Sequence, residues 1–389
     1  MKKFLEGSYA VAEAVKLCKP AVIAAYPITP QTHIVERLAE FVANGELDSQ
    51  FINVESEHSA ASLVLGAVAT GVRVFTATSS QGLIYMSEVL FNIAGMRLPV
   101  ILVCANRALS APINIWNDHQ DVMAIRDAGW IQFFAENNQQ VHDFIYQAYK
   151  LGENPSVMLP VMINMDGYIL THGMEPVDIP SQELVDKFLP LYNPPYKLDV
   201  KNPLSFGLLG DPTVYLETRL AIHQTLEETK ELIPRIGKEF ESIFKRKGID
   251  LIEDYNLEKA KIAIIAMGSV CGTIKDFIDK KKEEKIGLLK VITYRPFPKK
   301  EIFQLLKDKK IIIVLEKAIS LGNEGPLYTE IKSLFSKDMQ KIMGFIAGLG
   351  GRDITFETLE EMLKLAREKE GRCHFLDVNY SLLSKEFYV

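Results

Sequence analysis

The sequence predicts an α/β protein made of two doubly wound, mainly parallel sheets, and three observations carry that reading. Short apolar runs alternate with segments of helical periodicity between Ala21 and Ile163. The alternation breaks from about Tyr168 to Asn256, where prolines at 176, 180, 190, 194, 195 and 203 mark an extended connector. A second, smaller α/β pattern then runs from Ile262 to Ile346. Repeated strand and helix favours parallel sheets covered on both faces, and 389 residues with 48% hydrophobic content leave room for two or three buried cores.

A first helix is expected over Ser8 to Cys18, where Val11, Ala14, Val15 and Leu17 recur at helical spacing and Pro20 stops it. Strands follow at Ala21–Ala25, Phe51–Val54, Val72–Ala77, Pro99–Ala105, Trp130–Phe134 and Val157–Ile163. Thr29 and Pro30 read as an N-cap with a first-turn proline, opening a helix through Ile34, Leu38, Phe41 and Val42. Gly45 and Gly71 stand where helices end. In the connector, Thr218 to Lys247 is helical in composition, with Pro234 expected to kink or divide it. The second pattern gives strands at Ile262–Ala266, Ile286–Thr293, Ile311–Leu315 and Ile342–Ile346, with a helix near Glu301 to Leu306. Phe375 to Val389 reads as an arm laid against a neighbour.

A net charge of -6 without a long basic block gives nucleic-acid binding no electrostatic support. The four cysteines, Cys18, Cys104, Cys271 and Cys373, form no C-x-x-C pair, so metal-cluster chemistry is expected on another chain. Scattered thiols fit a reducing cytoplasm, and neither a signal peptide nor a membrane span is visible.

Ligands of parallel sheets bind beyond the carboxyl ends of the strands. Five segments stand there: Tyr26-Pro-Ile-Thr-Pro30, Glu55-Ser-Glu57-His58, Thr78-Ser-Ser-Gln-Gly82, Asn106-Arg107-Ala108 and Asn117-Asp118-His119-Gln120-Asp121. They bring a carboxylate, a guanidinium and hydroxyls to one sheet edge. Each also has a plain structural reading: Ser56 and Glu57 can cap a helix, Arg107 can pair with a surface carboxylate, and Asn117 with Asp118 can form a turn.

The order and spacing of Tyr26-Pro-Ile-Thr-Pro30, Val54-Glu-Ser-Glu57, Ala105-Asn-Arg-Ala-Leu-Ser110, Asn114-Ile-Trp-Asn-Asp-His-Gln-Asp121, Tyr294-Arg-Pro-Phe-Pro298 and Gly348-Leu-Gly-Gly-Arg-Asp353 are more specific than any one string. Together they resemble the alpha subunits of the pyruvate:ferredoxin oxidoreductase family and its 2-oxoacid relatives, over nearly the whole chain. The resemblance implies a thiamine pyrimidine-binding type domain at 1–167, an irregular and helical connector at 168–256, a transketolase C-terminal-like domain at 257–374 and an arm at 375–389. It implies a thiamine diphosphate site shared with a partner subunit, with Mg2+ and [4Fe-4S] clusters on partner subunits of beta, gamma and delta type. Ferredoxin would accept electrons, and pyruvate and coenzyme A would be substrates. The Gly-Asp-Gly of the diphosphate half is missing here, since Gly210-Asp211-Pro212 and Asp166-Gly167 cannot replace it.

By the same resemblance Glu57, rather than the competing Glu55, bonds the cofactor's aminopyrimidine, with Pro27, Ile28, Ser79 and Gln81 bordering it. Arg107 anchors the substrate carboxylate and Thr29 donates a further hydrogen bond, while Asp118 and His119 stand in the next loop as substrate-side candidates. No metal ligand is expected on this chain. Gly348 to Gly351 reads as a tight turn and domain contact. Retention of Ile28-Thr29-Pro30 with apolar Ile113 and Ile115 favours pyruvate over 2-oxoglutarate, a branched 2-oxoacid or oxalate. Glu57 and Arg107 argue against the alternative of a non-catalytic assembly subunit.

Overall fold

The computed structural model describes residues 1–335, 340–369 and 373–383, so residues 384–389 of the expected arm lie outside the described residues. In chain order the strands are β1 (Lys2–Glu6), β2 (Val22–Ala25), β3 (Gln50–Asn53), β4 (Val74–Thr78), β5 (Ile101–Asn106), β6 (Ile131–Phe134), β7 (Val161–Asp166) and β8 (Met174–Asp178). They continue as β9 (Ile252–Tyr255), β10 (Ile262–Ala266), β11 (Ile286–Val291), β12 (Thr293–Arg295), β13 (Ile311–Glu316), β14 (Lys341–Ile346) and β15 (Cys373–Phe375). A seven-stranded sheet has the order β12-β6-β7-β5-β4-β2-β3 and is parallel except at β12. A six-stranded sheet has the order β15-β14-β13-β10-β11-β9 and is parallel except at β9. This is the mixed α/β architecture with parallel-dominated sheets that the alternation predicts.

Side chains alternate between the faces of a strand, and the cores sort accordingly. Ile23, Phe75, Val103, Phe133 and Ile163 share a core with the helices Gly7–Cys18, Asn138–Gly152 and Tyr215–Phe244. Their alternates Ala24, Val74, Leu102, Phe134 and Met162 share a second core with Ala263, Ile265, Leu289 and Val314 of the other sheet. The far face of that sheet, with Ile264, Leu288, Ile313 and Phe345, packs with the helices Val270–Lys280 and Phe356–Glu368. One continuous apolar core therefore fixes the two sheets against each other.

Three expectations change. The run Ile286–Thr293 is not one strand, because β11 ends at Val291 and β12 crosses to the first sheet, where Thr293 lies opposite Phe133. A continuous apolar run carries no period that would mark such a hand-over. Pro234 does not divide its helix, which runs from Tyr215 to Phe244. Buried Ile233 and Ile236 hold that stretch in tertiary contact, and packing outweighs local propensity. Finally, β1 and β8 form an antiparallel ribbon that the sequence pattern missed, since Pro176 in β8 reads as connector.

Both sheets have a topological switch point. β3 and β4 flank β2, and β11 and β13 flank β10, so each pair of diverging strand ends opens a crevice. The second crevice is filled from the first sheet. Asp166, at the end of β7, meets His119 Nε2 at 2.7 Å and Lys317 Nζ at 2.8 Å, and it accepts from the Ser269 N–H at 3.0 Å and from the Ser269 hydroxyl. Burial alone would raise the Asp166 pKa, but Lys317 and His119 outweigh it and hold the carboxyl well below the usual carboxylate range. Lys317→Met leaves that carboxylate buried beside a weaker set of partners, and a loss of about 3–5 kcal/mol is expected from denaturant unfolding at neutral pH. Because the folded pKa is depressed, the contribution stands above about pH 4 and fades as the pH falls toward the folded value. A loss under about 1 kcal/mol at neutral pH would contradict the assignment.

Candidate active site

The first crevice begins with the turn after β2. Gln31 N donates to the Ile28 carbonyl at 2.8 Å, closing a four-residue turn, and the helix starts only at Thr32. Thr29 is therefore not its N-cap. Gln31 takes that position, but its fully buried side chain is used elsewhere: Nε2 donates to the Ala77 carbonyl at 2.8 Å and Oε1 accepts from Ile28 N at 3.2 Å. This amide ties the β2 turn to the end of β4 across the switch point. Pro27 is exposed and Ile28 half-buried. Thr29 is exposed, with a hydroxyl that has no hydrogen-bond partner among the described residues, and lines a cavity of about 270 Å³ with Pro30, Tyr168 and His172.

Glu57 opens the helix Glu57–Ala69, whose N-cap Ser56 accepts from Ser59 N at 3.2 Å. Such a cap contributes about 1 kcal/mol. Ala60, Ala61, Val64 and Val68 face the core and let the helix lie close to the sheet. Glu57 is only 8% exposed, yet its carboxylate has no hydrogen bond or ion pair among the described residues. Glu55, by contrast, is exposed and accepts from the Ser59 hydroxyl. Beside Glu57 stands Thr78, whose fully buried hydroxyl is also without a partner.

Gly82 makes this arrangement possible. A Cβ there would sit 2.5 Å from Thr78 Oγ1 and 2.7 Å from Glu57 Oε1. Gly82→Ala is expected to displace Glu57 at an overpacking cost of about 1–3 kcal/mol. Thermal denaturation measures that cost, and an unchanged stability would show that the contact is slack.

Arg107, directly after β5, is 6% exposed. Nη1 donates to the Thr29 carbonyl at 3.0 Å and Nε to the Asn114 carbonyl at 2.8 Å, which joins two of the expected residues directly. Burial pulls the guanidinium pKa below its ordinary value, and no carboxylate pairs with it among the described residues. The plain reading of a surface ion pair therefore fails. Asp121 acts on the guanidinium only at a distance, from the Arg107 backbone N–H, so the buried cation keeps donors to spare and is a ready receptor for an anion.

The remaining expected residues have structural partners. The Ser79 hydroxyl donates to the Ala105 carbonyl at 2.7 Å and holds the ends of β4 and β5 together, while Gln81 Oε1 accepts from the Ser80 hydroxyl at 2.6 Å. Asp118 and His119 turn toward the second sheet: Asp118 accepts from Gln120 N at 3.0 Å and Gly350 N at 3.2 Å, and His119 bonds Asp166. The Gly348 to Gly351 segment is the tight turn that receives this loop. Asn114 Nδ2 donates to the Gly350 carbonyl at 3.1 Å, and Gly351, with φ +82°, leaves no room for a side chain against Trp116. Sequence reasoning missed Gln31 and Lys317 as parts of the frame, and it named Thr78 and Asp121 only as the ends of loop motifs and Asp166 only in a discarded diphosphate motif. Burial raises the Asp121 pKa to about 6.

Chemically, the crevice offers an unpartnered carboxylate that can bond a ring nitrogen and an unpaired guanidinium that can hold a carboxylate. The buried Glu57 with the orphaned Thr78 hydroxyl fits the pyrimidine half of thiamine diphosphate; the motif of the diphosphate half is not on this chain.

Comparison with known proteins follows the same line. The family model "Pyruvate flavodoxin/ferredoxin oxidoreductase, thiamine diP-bdg" matches residues 13–238, and "Pyruvate:ferredoxin oxidoreductase core domain II" matches residues 260–359. Pyruvate synthase subunit PorA of Methanocaldococcus jannaschii is 53% identical over 373 residues, 95% of each protein. Ketoisovalerate oxidoreductase subunit VorA of Pyrococcus horikoshii is 47% identical over 360 residues, 91% of each. Among solved structures, 2-oxoglutarate:ferredoxin oxidoreductase from Magnetococcus marinus, with 2-oxoglutarate, coenzyme A and succinyl-CoA bound, shares the fold at a TM-score of 0.70 and 20% identity. That match covers 93% of this chain and 65% of the other. With a thiamine diphosphate-binding model across more than half its length and near-full-length relatives at about 50% identity, the chain belongs to the pyruvate flavodoxin/ferredoxin oxidoreductase family.

Proposed function

We propose that this chain is the alpha-type subunit of a pyruvate:ferredoxin oxidoreductase, which oxidatively decarboxylates pyruvate to acetyl-CoA and CO2 and passes the electrons to ferredoxin. The observation that carries the reading is the pair of buried, unpaired charges at one switch point, Glu57 and Arg107. Near-full-length identity to proteins named as pyruvate synthase subunits supports the choice of substrate. Beta, gamma and delta type partners carry Mg2+, the diphosphate subsite and the [4Fe-4S] clusters in this proposal, and the assembly is cytoplasmic. The division at 1–167, 168–256, 257–374 and 375–389 is proposed with it. No helix among the described residues is long and apolar enough to cross a membrane.

Thiamine diphosphate, when bound, supplies the nucleophile and electron sink for cleavage next to the ketone. The chain supplies the setting. Glu57, in its buried position, would hold the pyrimidine ring through a hydrogen bond from its carboxyl group to a ring nitrogen. Arg107 offers its free N–H groups to the substrate carboxylate, and the Thr29 hydroxyl, on a turn bonded to Arg107, donates to the substrate beside it. Pro27, Ile28, Ser79 and Gln81 would border the pyrimidine, with Gln31 bonded beneath the turn. Asp118 and His119, the other substrate-side candidates, are bonded to Gly350 and Asp166 in the loop behind.

A second reading has a specific observation behind it. The ketoisovalerate oxidoreductase relative keeps 47% identity, so a branched 2-oxoacid is the competing substrate. Substrate profiling of the reconstituted enzyme separates them: pyruvate is expected to have the highest kcat/KM, and preference for a branched acid or for 2-oxoglutarate would overturn the assignment.

A further inference from the structure

We propose that Asp121 is a positioning residue that couples the Glu57 side of the site to the Arg107 side; the proposal rests on Arg107 being the carboxylate anchor. Asp121 lies in the short helix Gln120–Ala124 and is fully buried. Its oxygens are divided between different loops. Oδ2 accepts from Ser80 N at 3.1 Å and from Arg107 N at 3.0 Å, with the Cys104 thiol at 3.6 Å. Oδ1 accepts from Val122 N at 2.7 Å and from Asn106 Nδ2 at 3.1 Å. One oxygen thus fixes the backbone after β4 and the backbone after β5 at the same point.

Each of those amides leads to the chemistry. Ser80 has a left-handed backbone, with φ 49°, and lies two residues before Gly82, which packs against the Glu57 carboxylate. A non-glycine residue holds that conformation only when its surroundings determine it, and here the Asp121 oxygen and the Ser80 hydroxyl's bond to the Ala108 carbonyl do so. Arg107 N belongs to the anchor itself. No ion pair satisfies Asp121 among the described residues, so its value lies in accepting N–H groups on both oxygens. Asparagine has a single carbonyl oxygen. In Asp121→Asn the new NH2 faces either Ser80 and Arg107 or Val122 and Asn106, donor against donor, and a full clamp is lost. Displacements of about 1 Å in positioning groups cost on the order of 100-fold in rate.

The test uses the reconstituted enzyme with Asp121→Asn, Arg107→Ala and the double variant, each measured for kcat, KM for pyruvate and thermal stability. Asp121→Asn is expected to raise KM at least about tenfold through the Arg107 side and to lower kcat at least about tenfold through the Glu57 side, and its KM effect is expected to add little to that of Arg107→Ala, because residues acting through one another are non-additive. Wild-type KM, wild-type kcat, or KM effects in the double variant that multiply fully, would overturn the coupling. If Asp121→Asn does not assemble, hydrogen exchange on the wild-type complex decides: the Ser80 and Arg107 amides are expected to open together, and independent opening overturns the proposal. A wild-type KM in Arg107→Ala would instead sink the anchor assignment, so the two failures are distinguishable.

Discussion

Glu57→Gln in the reconstituted enzyme is expected to lower kcat by about 10²- to 10⁴-fold while the assembly stays folded. The side chain keeps its shape, so the methylene packing against Gly82 is preserved. What is lost is the ability to share a proton with a ring nitrogen. The other glutamate of the motif, Glu55, does not take over, because it is exposed and bonded to the Ser59 hydroxyl. In the folded chain Glu57 has no hydrogen bond among the described residues, so removing its charge is expected to cost little stability or even raise it. This separation of effects is the useful part. A residue retained for structure would lose stability on substitution and spare the rate. Decarboxylation near the wild-type rate would remove Glu57 from the mechanism.

The second large effect is expected at Arg107. Arg107→Ala should lower kcat/KM for pyruvate by about 10²- to 10³-fold, chiefly through KM, since a charge-assisted pair of hydrogen bonds to a carboxylate contributes about 3–4 kcal/mol. Lysine should restore little. An ammonium cannot reproduce the fork that bonds the Thr29 carbonyl, the Asn114 carbonyl and a ligand at once. Steady-state kinetics across pyruvate concentrations would show the split, and an unchanged KM in both variants would place the substrate carboxylate elsewhere.

Much of the candidate site was legible because its residues stand at strand ends, where turn chemistry and the parallel-sheet rule reinforce each other. Tyr26 to Pro30, Glu57 and Arg107 all fall within a few residues of β2, β3 and β5. The choice of Glu57 over Glu55 came from resemblance, and burial supplies its physical side. The frame behind the site was not legible. Lys317 reaches Asp166 across 151 residues of chain, and Gln31 reaches the end of β4 across 46. Such pairs leave no periodicity or motif, because they depend on which strand ends the topology brings together. The Thr29 error has a similar origin. A threonine before proline suits an N-cap locally, but the bonds of Gln31 to Ile28 and Ala77 close the turn earlier and delay the helix. His119 and Asp118 read as substrate-side candidates, and only the structure shows that they bond Asp166, Gln120 and Gly350 at the second sheet's crevice.

The central claim is that this chain holds the pyrimidine half of a shared thiamine diphosphate site. Equilibrium titration of thiamine diphosphate with Mg2+ into the chain alone, into the reconstituted complex and into the complex carrying Glu57→Ala tests it most directly. Binding is predicted only in the complex, weakened by the Glu57 substitution. Binding to the chain alone as tight as to the complex, or indifference to Glu57, would contradict the account.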